Sequence, residues 1–135
     1  MATWLLKTEP GTYCFADLLR DKKTVWDGIR NHAAKNHLRS TQKGDLVLVY
    51  HTGDERRVVG LAKVTRAAYP DPGDTAWVAI DLAPLGPIVE PVTLAAIKAD
   101  ERFAEFGLVR RGRLSVVPVS DPELAAILAL GKTKL

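Results

Sequence analysis

The chain has 135 residues, of which 47% are hydrophobic and 26% are charged, and its formal net charge is +3 at pH 7. This composition predicts one soluble domain over residues 1–135 that buries its core without metals or disulfides, and it excludes a largely disordered chain. Because no apolar run reaches the roughly 18 residues of a membrane span and the N-terminus lacks a signal-peptide pattern, we expect no membrane partner and a cytoplasmic location, or a nuclear one in a eukaryote.

The N-terminal segment predicts a buried strand and a short helix. Thr3–Lys7 is apolar and is followed by the turn-forming Glu9-Pro10-Gly11, as expected for a buried strand. Phe15–Arg20 has apolar residues at helical spacing, and Thr12 is a better N-cap for that helix than Cys14.

A second helix and a central hairpin follow. Asn31 is a favourable N-cap for a helix over His32–Ser40. Leu46–Tyr50 is apolar at every position, which indicates a strand buried on both faces. Val58–Thr65 predicts its antiparallel partner across a longer loop.

The middle of the chain predicts a loop and a half-buried strand. Tyr69–Asp74 is rich in proline and glycine and predicts a surface loop. Trp77–Leu82 alternates in polarity, so we expect a strand with one wetter face. The prolines from Pro84 to Pro91 limit the next segment to edge structure. Trp77 and Trp4 are both predicted to be core residues.

The C-terminal part predicts two further helices and a strand. Thr93 is expected to cap a short helix, and Leu114–Val119 reads as a strand. Ser120 and Glu123 form a capping box that opens a helix ending at Gly131. With about five to six mostly antiparallel strands and no βαβ rhythm, the fold class is α+β, a curled sheet or open barrel with helices at its edges.

The basic residues are concentrated in the two outer parts of the chain. Residues 1–66 hold 12 Lys and Arg against 7 Asp and Glu, residues 110–135 hold 5 against 2, and residues 67–109 hold 2 against 7. If the two basic segments meet in space, they form a positive face of the kind that binds polyanions. Dispersed surface charges that maintain solubility would give the same counts.

The segment Trp26–Asn31 combines residue types that suit a base-binding pocket. An indole face stacks on a planar heterocycle, an amide can read a base edge, and a guanidinium can neutralise a phosphate. The same hexapeptide also fits a core Trp26 followed by an Asp-Gly turn, with Asn31 as a helix N-cap.

Candidates for metal binding and catalysis are sparse. Cys14 is the single cysteine and has no basic neighbour, so we expect a small buried hydrophobe rather than a nucleophile. His32 and His37 are five residues apart, which does not suit helical metal ligands. We therefore expect no metal, no cofactor and no enzymatic activity. An enzyme acting on a modified nucleoside, with Asp27, Glu9 or His51 as the acid–base groups, is the alternative.

Four segments together resemble the EVE domain of the PUA-like superfamily. They are Lys7–Pro10, Trp26–Asn31, Tyr50-His51 and Arg110–Ser115, in that order and near those spacings. The resemblance extends over essentially the whole chain. It implies a PUA-like pseudo-β-barrel with short flanking helices, which holds one flipped-out modified base of DNA or RNA in an aromatic pocket without chemical turnover. A separate effector protein would carry out any downstream act.

The resemblance also implies a set of site residues. Trp26 would form a pocket wall, Asn31 and the backbone around Thr8 and Glu9 would read the base edge, and the remaining ligand-binding residues would close the far side and the floor. The implied ligand-binding residues are Lys7, Thr8, Glu9, Trp26, Asn31, Tyr50, His51 and Ser115. The implied phosphate-binding residues are Arg30, Arg39 and Arg113.

Several of these residues have structural alternatives. Ser115 also fits a serine paired within the sheet, and Tyr50 and His51 also fit braces at the sheet end. The arginines also fit ion pairs with nearby carboxylates, namely Asp27, Asp45 and Glu9.

Two departures from the family pattern bear on the ligand. Thr8 stands where many members have serine, and its extra methyl group would narrow the pocket. His32 and Ala33 stand where tyrosine and glutamine are commoner, which leaves a weaker stacking ring and no long amide. These departures leave the identity of the base open, and the resemblance implies a modified cytosine or adenine. A module that binds a peptide or metabolite is a further alternative.

Overall fold

The computed structural model describes residues 2–135 as a mixed sheet of six strands with five short helices around it. The strands are β1 (Thr3–Thr8), β2 (Thr24–Trp26), β3 (Leu46–His51), β4 (Arg57–Asp71), β5 (Asp74–Thr93) and β6 (Val116–Val119). The helices are α1 (Phe15–Asp21), α2 (His32–Ser40), α3 (Leu94–Lys98), α4 (Gly107–Arg110) and α5 (Asp121–Leu130), with a 3₁₀ turn at Glu101–Phe103. The predicted α+β class is confirmed.

Strand β3 lies inside the sheet and is buried at all six positions, as predicted. The strand order is β2-β5-β4-β3-β1-β6, so the sheet is curled but not closed. Strand β3 pairs antiparallel with β4 and parallel with β1. The parallel pair sets Lys7 opposite Tyr50 and Thr8 opposite His51, so the C-terminal ends of both strands place their side chains at the same end of the sheet.

The β4–β5 hairpin is longer than the sequence indicates. Tyr69–Asp74 was predicted as a surface loop, and this is wrong, because Tyr69 to Asp71 continue β4 and only Pro72 and Gly73 form the turn. The two strands tolerate the irregular residues through several register shifts. From Pro84 onward, β5 pairs with β4 and no longer with β2, in agreement with the predicted edge structure.

Helix caps largely follow the sequence. Asn31, Thr93 and Ser120 cap α2, α3 and α5 as predicted, each through a side-chain oxygen that accepts a backbone N–H. The Thr12 prediction is wrong, because the helix begins one residue after Cys14, which takes the cap position. Thr12 instead donates its backbone N–H within the turn that follows β1.

A buried carboxylate fixes the segment after β2. Asp71 is 1% exposed, and one of its oxygens accepts from the Gly28 backbone N–H and from Arg30, both at 3.0 Å. Its other oxygen accepts from the Gly73 N–H at 2.7 Å. The Gly28 N–H and then the Arg30 guanidinium oppose the effect of burial and hold the pKa of Asp71 at about 2, below its usual 3.8. This carboxylate therefore joins the segment after Trp26 to the hairpin tip.

Phe15 and Gly60 provide a test of core packing. A Cβ built on Gly60 would lie 2.3 Å from the ring of Phe15, which is itself 4% exposed and packed in the core. We expect Gly60→Ala to lower the free energy of unfolding by about 1 to 3 kcal/mol through overpacking. Denaturant unfolding followed by circular dichroism measures this. In Gly86→Ala the new methyl group meets nothing within 4 Å, so this control should change stability by less than about 1 kcal/mol. Equal losses in both variants would contradict the packing account.

The Asp71 contacts predict a pH-dependent stability. Asp71→Asn replaces one acceptor oxygen with a donor that faces backbone N–H groups, so we expect a loss of about 1 to 3 kcal/mol at pH 7. Because the folded-state pKa of about 2 lies below the usual 3.8, the wild-type advantage is present above pH 3.8 and is lost as the pH falls toward 2. Urea unfolding at pH 7 and near pH 2.5 tests this, with the exposed Asp54→Asn as control. An advantage independent of pH would refute the assignment.

Candidate functional site

The end of β1 and the segment around β2 enclose a cavity of about 490 Å³, here called the tryptophan cavity. This volume is within the roughly 300 to 1,000 Å³ of small-molecule sites. Its lining includes Lys7, Thr8, Glu9, Tyr13, Trp26 and Gly28. The structure thus brings together four of the predicted ligand-binding residues, Lys7, Thr8, Glu9 and Trp26.

Trp26 forms a wall with a fixed orientation. It is 7% exposed, and β2 holds it opposite Ile80 in the sheet. The Tyr13 ring meets the indole edge-on, with centroids 6.5 Å apart and planes at 86°. Such an edge-to-face pair is favourable and restricts rotation of the indole. Tyr13 is not among the residues predicted from the sequence, although the Glu9-Pro10-Gly11 turn just before it indicates that the chain folds back there.

Polar groups at the end of β1 also line the tryptophan cavity. The Thr8 hydroxyl donates to the Tyr13 carbonyl at 2.6 Å. The Thr8 carbonyl accepts the Thr52 N–H at 2.9 Å, and the exposed Glu9 carboxylate accepts the Thr52 hydroxyl at 3.2 Å. The Thr8 hydroxyl, which donates to Tyr13, can still accept a hydrogen bond, and the Glu9 carboxylate adds an acidic group to the lining. Together with the indole face, they suit a planar ligand with polar edges.

Asn31 and Arg113 lie beside a different cavity. Asn31 Oδ1 accepts the Ala34 N–H at 3.0 Å, so its amide oxygen already serves as the cap of α2. Asn31 and Arg113 both line a neighbouring cavity of about 350 Å³, together with Arg111 and Gly112. The amide nitrogen of Asn31 is the part of this side chain that remains for a base, and its reading role stays a prediction.

Tyr50 and His51 are adjacent in the chain but have different surroundings. Tyr50 is 3% exposed and lines a third cavity, of about 260 Å³. His51 accepts the Phe15 N–H at Nε2 (3.0 Å), so its Nδ1 carries the proton and donates to Glu55 at 2.9 Å. This bond is the main cause that lowers the pKa of Glu55. Both ring nitrogens of His51 are thus engaged inside the protein, as in the brace alternative.

Ser115 supports the strand end through its backbone. Its carbonyl accepts the Lys7 N–H at 3.0 Å, and its side chain is partly buried outside the tryptophan cavity. The Lys7 ammonium donates to the Gly112 carbonyl at 2.8 Å. Since β1 also pairs with β6, the two basic segments of the chain do meet in space.

The three predicted phosphate-binding arginines differ in their surroundings. Arg30 is 42% exposed and pairs with Asp71, not with any of the carboxylates that the sequence suggested. Arg39 and Arg113 are exposed and form no ion pair within residues 2–135. Arg39 lies by the hairpin tip, in a groove that Tyr69 also lines. The three side chains therefore do not form one cluster.

Trp77 is not a core residue, so that prediction is wrong, whereas Trp4 is buried as predicted. Trp77 is partly exposed and stacks on His32, with centroids 5.0 Å apart. Lys35 Nζ lies 5.5 Å and the Arg30 guanidinium 5.8 Å from its ring centre. The wetter face of Trp77–Leu82 was the sequence feature that indicated this exposure.

Two further observations concern metal binding and membrane spanning. Among residues 2–135, no group of three or more His, Cys, Asp or Glu residues is arranged to hold a metal ion. In the same part of the chain, no helix has the length and apolar character needed to cross a membrane.

Two named relatives match this chain over most of its length. Thymocyte nuclear protein 1 of Homo sapiens is 26% identical over 163 residues, covering 94% of this chain and 72% of that protein. Its counterpart in Gallus gallus is 27% identical over 167 residues, covering 97% and 69%. These relatives share nearly the full length of the chain.

Solved structures share the same fold. The protein Rpa0253 from Rhodopseudomonas palustris superposes with a TM-score of 0.93 at 37% identity, over 98% of this chain and 94% of that one. Human THYN1 in complex with DNA containing 5-methylcytosine superposes with a TM-score of 0.91 at 25% identity, over 100% of both chains. These matches confirm the PUA-like architecture, here with an open sheet. A sequence profile of the EVE domain matches residues 2–130, so the chain belongs to the EVE domain family.

Proposed function

We propose that this protein binds DNA that carries a modified base and holds that base, flipped out of its strand, in the tryptophan cavity. The observation that carries the proposal is the buried indole of Trp26, which lines a cavity of ligand size together with the polar end of β1. The similarity to human THYN1, whose structure contains 5-methylcytosine DNA, supports the choice of ligand.

The chemistry of the tryptophan cavity suits a base better than a peptide. Stacking of a base on an aromatic ring contributes about 1 to 3 kcal/mol and needs one rigid flat wall. Trp26 supplies this wall, and its edge-on partner Tyr13 restricts the rotation of the indole. Hydrogen-bonding groups at Thr8 and Glu9 would meet the polar edge of the base. The methyl group of Thr8 would contribute an apolar contact close to this edge.

We further propose that the base leaves the cavity unchanged. A protein that only recognises a base needs stacking and contacts to the edge of the base, whereas an enzyme needs a group that is free to accept or donate a proton. His51, one of the three acid–base candidates of the enzyme alternative beside Asp27 and Glu9, has both nitrogens bonded to Phe15 and Glu55. Any act that follows recognition would then belong to a separate effector protein in the cytoplasm or nucleus. RNA carrying a modified base is the second nucleic acid to test.

Replacement of Trp26 tests the pocket. We measure binding to one DNA sequence that carries either cytosine or 5-methylcytosine, at two salt concentrations, by fluorescence anisotropy. We expect the wild type to prefer the modified strand and Trp26→Ala to weaken that binding about 5- to 150-fold, which corresponds to the lost stacking of about 1 to 3 kcal/mol.

Trp26→Phe is the matched variant, because it keeps an aromatic ring and most of the buried volume. It should retain part of the preference even if the alanine variant is poorly folded, which circular dichroism will report. Equal binding of both strands by the wild type, or a full preference in a folded Trp26→Ala, would rule out the tryptophan cavity as the reading site.

The absence of turnover is tested separately. We expect a 5-methylcytosine oligonucleotide that has been incubated with an excess of protein, recovered and digested to nucleosides to keep its modified nucleoside in full. Liquid chromatography with mass spectrometry measures this, and a sample without protein is the control. Loss of the modified nucleoside at a rate that depends on protein concentration would favour the enzyme alternative.

A further inference from the structure

We propose that the third cavity, here called the cationic cavity, binds a backbone phosphate of the strand whose modified base enters the tryptophan cavity. This inference rests on the proposed function and identifies where the strand leaves the base pocket. The residues that carry it are Lys7, Tyr50, Thr52, Arg56, Lys98 and Gly112, all of which line the cavity.

Positive charge is the main feature of this cavity. Lys7, Arg56 and Lys98 contribute three cationic side chains, and none of them forms an ion pair within residues 2–135. The Glu9 carboxylate lies at the boundary with the tryptophan cavity and accepts the Thr52 hydroxyl. No carboxylate lines the cationic cavity itself, although Asp54 and Glu55 line an adjoining cavity with Arg56 and Lys98, so the lining carries a net positive charge that favours an anion.

Lys7 is the most constrained of the three cations. It is partly buried, and burial lowers the pKa of its ammonium because water is removed from the charged form. Its hydrogen-bond partner is the neutral carbonyl of Gly112, at 2.8 Å. A phosphate oxygen nearby would restore the lost stabilisation of the charge.

Tyr50 supplies a donor that has no partner in the protein. The residue is 3% exposed, yet its hydroxyl forms no hydrogen bond within residues 2–135. In the same residues, no buried side-chain polar atom lacks a partner, so this hydroxyl must reach solvent, and the cavity that Tyr50 lines provides the access. Burial raises the pKa of Tyr50, so the hydroxyl keeps its proton at neutral pH and can donate it to an oxyanion.

The backbone fixes the two outer cations relative to each other. Arg56 has a left-handed φ of 45°, which is uncommon for a residue with a side chain and is often found at ligand sites. Its carbonyl accepts the N–H of Leu94 at 2.8 Å, at the start of the helix that carries Lys98. Arg56 and Lys98 therefore lie on connected elements that both line the cavity.

Lys7 also relates the cavity to the base pocket, since it lines both. A strand that places a base against Trp26 on one side of Lys7 can place a neighbouring phosphate on the other. By contrast, Arg30, a phosphate candidate from the sequence, is already paired with Asp71. The cationic cavity thus offers a phosphate site that the sequence motifs did not indicate.

The test compares the wild type with the double variant Arg56→Gln, Lys98→Gln on a 5-methylcytosine oligonucleotide over a series of salt concentrations. We expect the slope of log K against log salt to become shallower by about 0.7 to 0.9, the value for one lost phosphate contact. The ratio of affinities for modified and unmodified strands should stay the same. Lys43→Gln is the matched control, because Lys43 is exposed just before β3, at the opposite end of the strand from Tyr50, and should leave the slope unchanged.

A second arm locates the phosphate. Methylphosphonate linkages, which carry no charge, replace one phosphate at a time on either side of the modified base. We expect one linkage to weaken binding of the wild type and to have no further effect on the double variant. Additive losses at every linkage, or an unchanged salt slope, would overturn the inference.

The outcomes separate this inference from the proposed function. If the wild type prefers the modified strand and the double variant has an unchanged salt slope, the proposed function is supported and the phosphate site is refuted. If the wild type has no preference but the double variant has a shallower salt slope, recognition of a modified base is refuted. The assignment of this phosphate to a flipped base is then refuted as well. A wild type that binds no oligonucleotide overturns both.

Discussion

The parallel pairing of β1 with β3 is the constraint on which the candidate site depends. It sets Lys7 beside Tyr50 and Thr8 beside His51, and it brings residues more than forty positions apart to the same end of the sheet. Because side chains alternate between faces, a shift of β1 by one residue against β3 would turn Lys7 to the face opposite Tyr50 and away from the cavity that both residues line. The full burial of β3 makes such a shift costly, so the core also fixes the site.

Short sequence motifs predicted much of the fold and the central part of the site. The uniform apolar run of Leu46–Tyr50 identified the inner strand, and the cap residues identified three of the helices. Trp26 and Lys7 to Glu9 were predicted together and do line one cavity. These features depend on residue type and local spacing, which a sequence displays directly.

Other features depend on partners that are distant in sequence. Asn31 could equally cap a helix or read a base, and only the position of the Ala34 N–H shows that its oxygen is used as a cap. The Asp71 carboxylate lies 43 residues from the Gly28 N–H that it accepts. Arg56 and Lys98 belong to no motif. They come together only because the β3–β4 loop, which carries Arg56, is hydrogen-bonded to the start of α3. Local patterns carry no information about such pairings.

The open sheet has a consequence for how the chain behaves among its own copies. An unpaired strand edge offers backbone groups to which a second copy can add, and natural proteins shorten such edges or interrupt them with proline. Here β2 has three residues, β6 has four and includes Pro118, and the single-partner part of β5 contains Pro84, Pro87 and Pro91. Each edge is therefore a poor template for strand addition. The protein can leave its sheet unclosed around its cavities without inviting edge-to-edge aggregation.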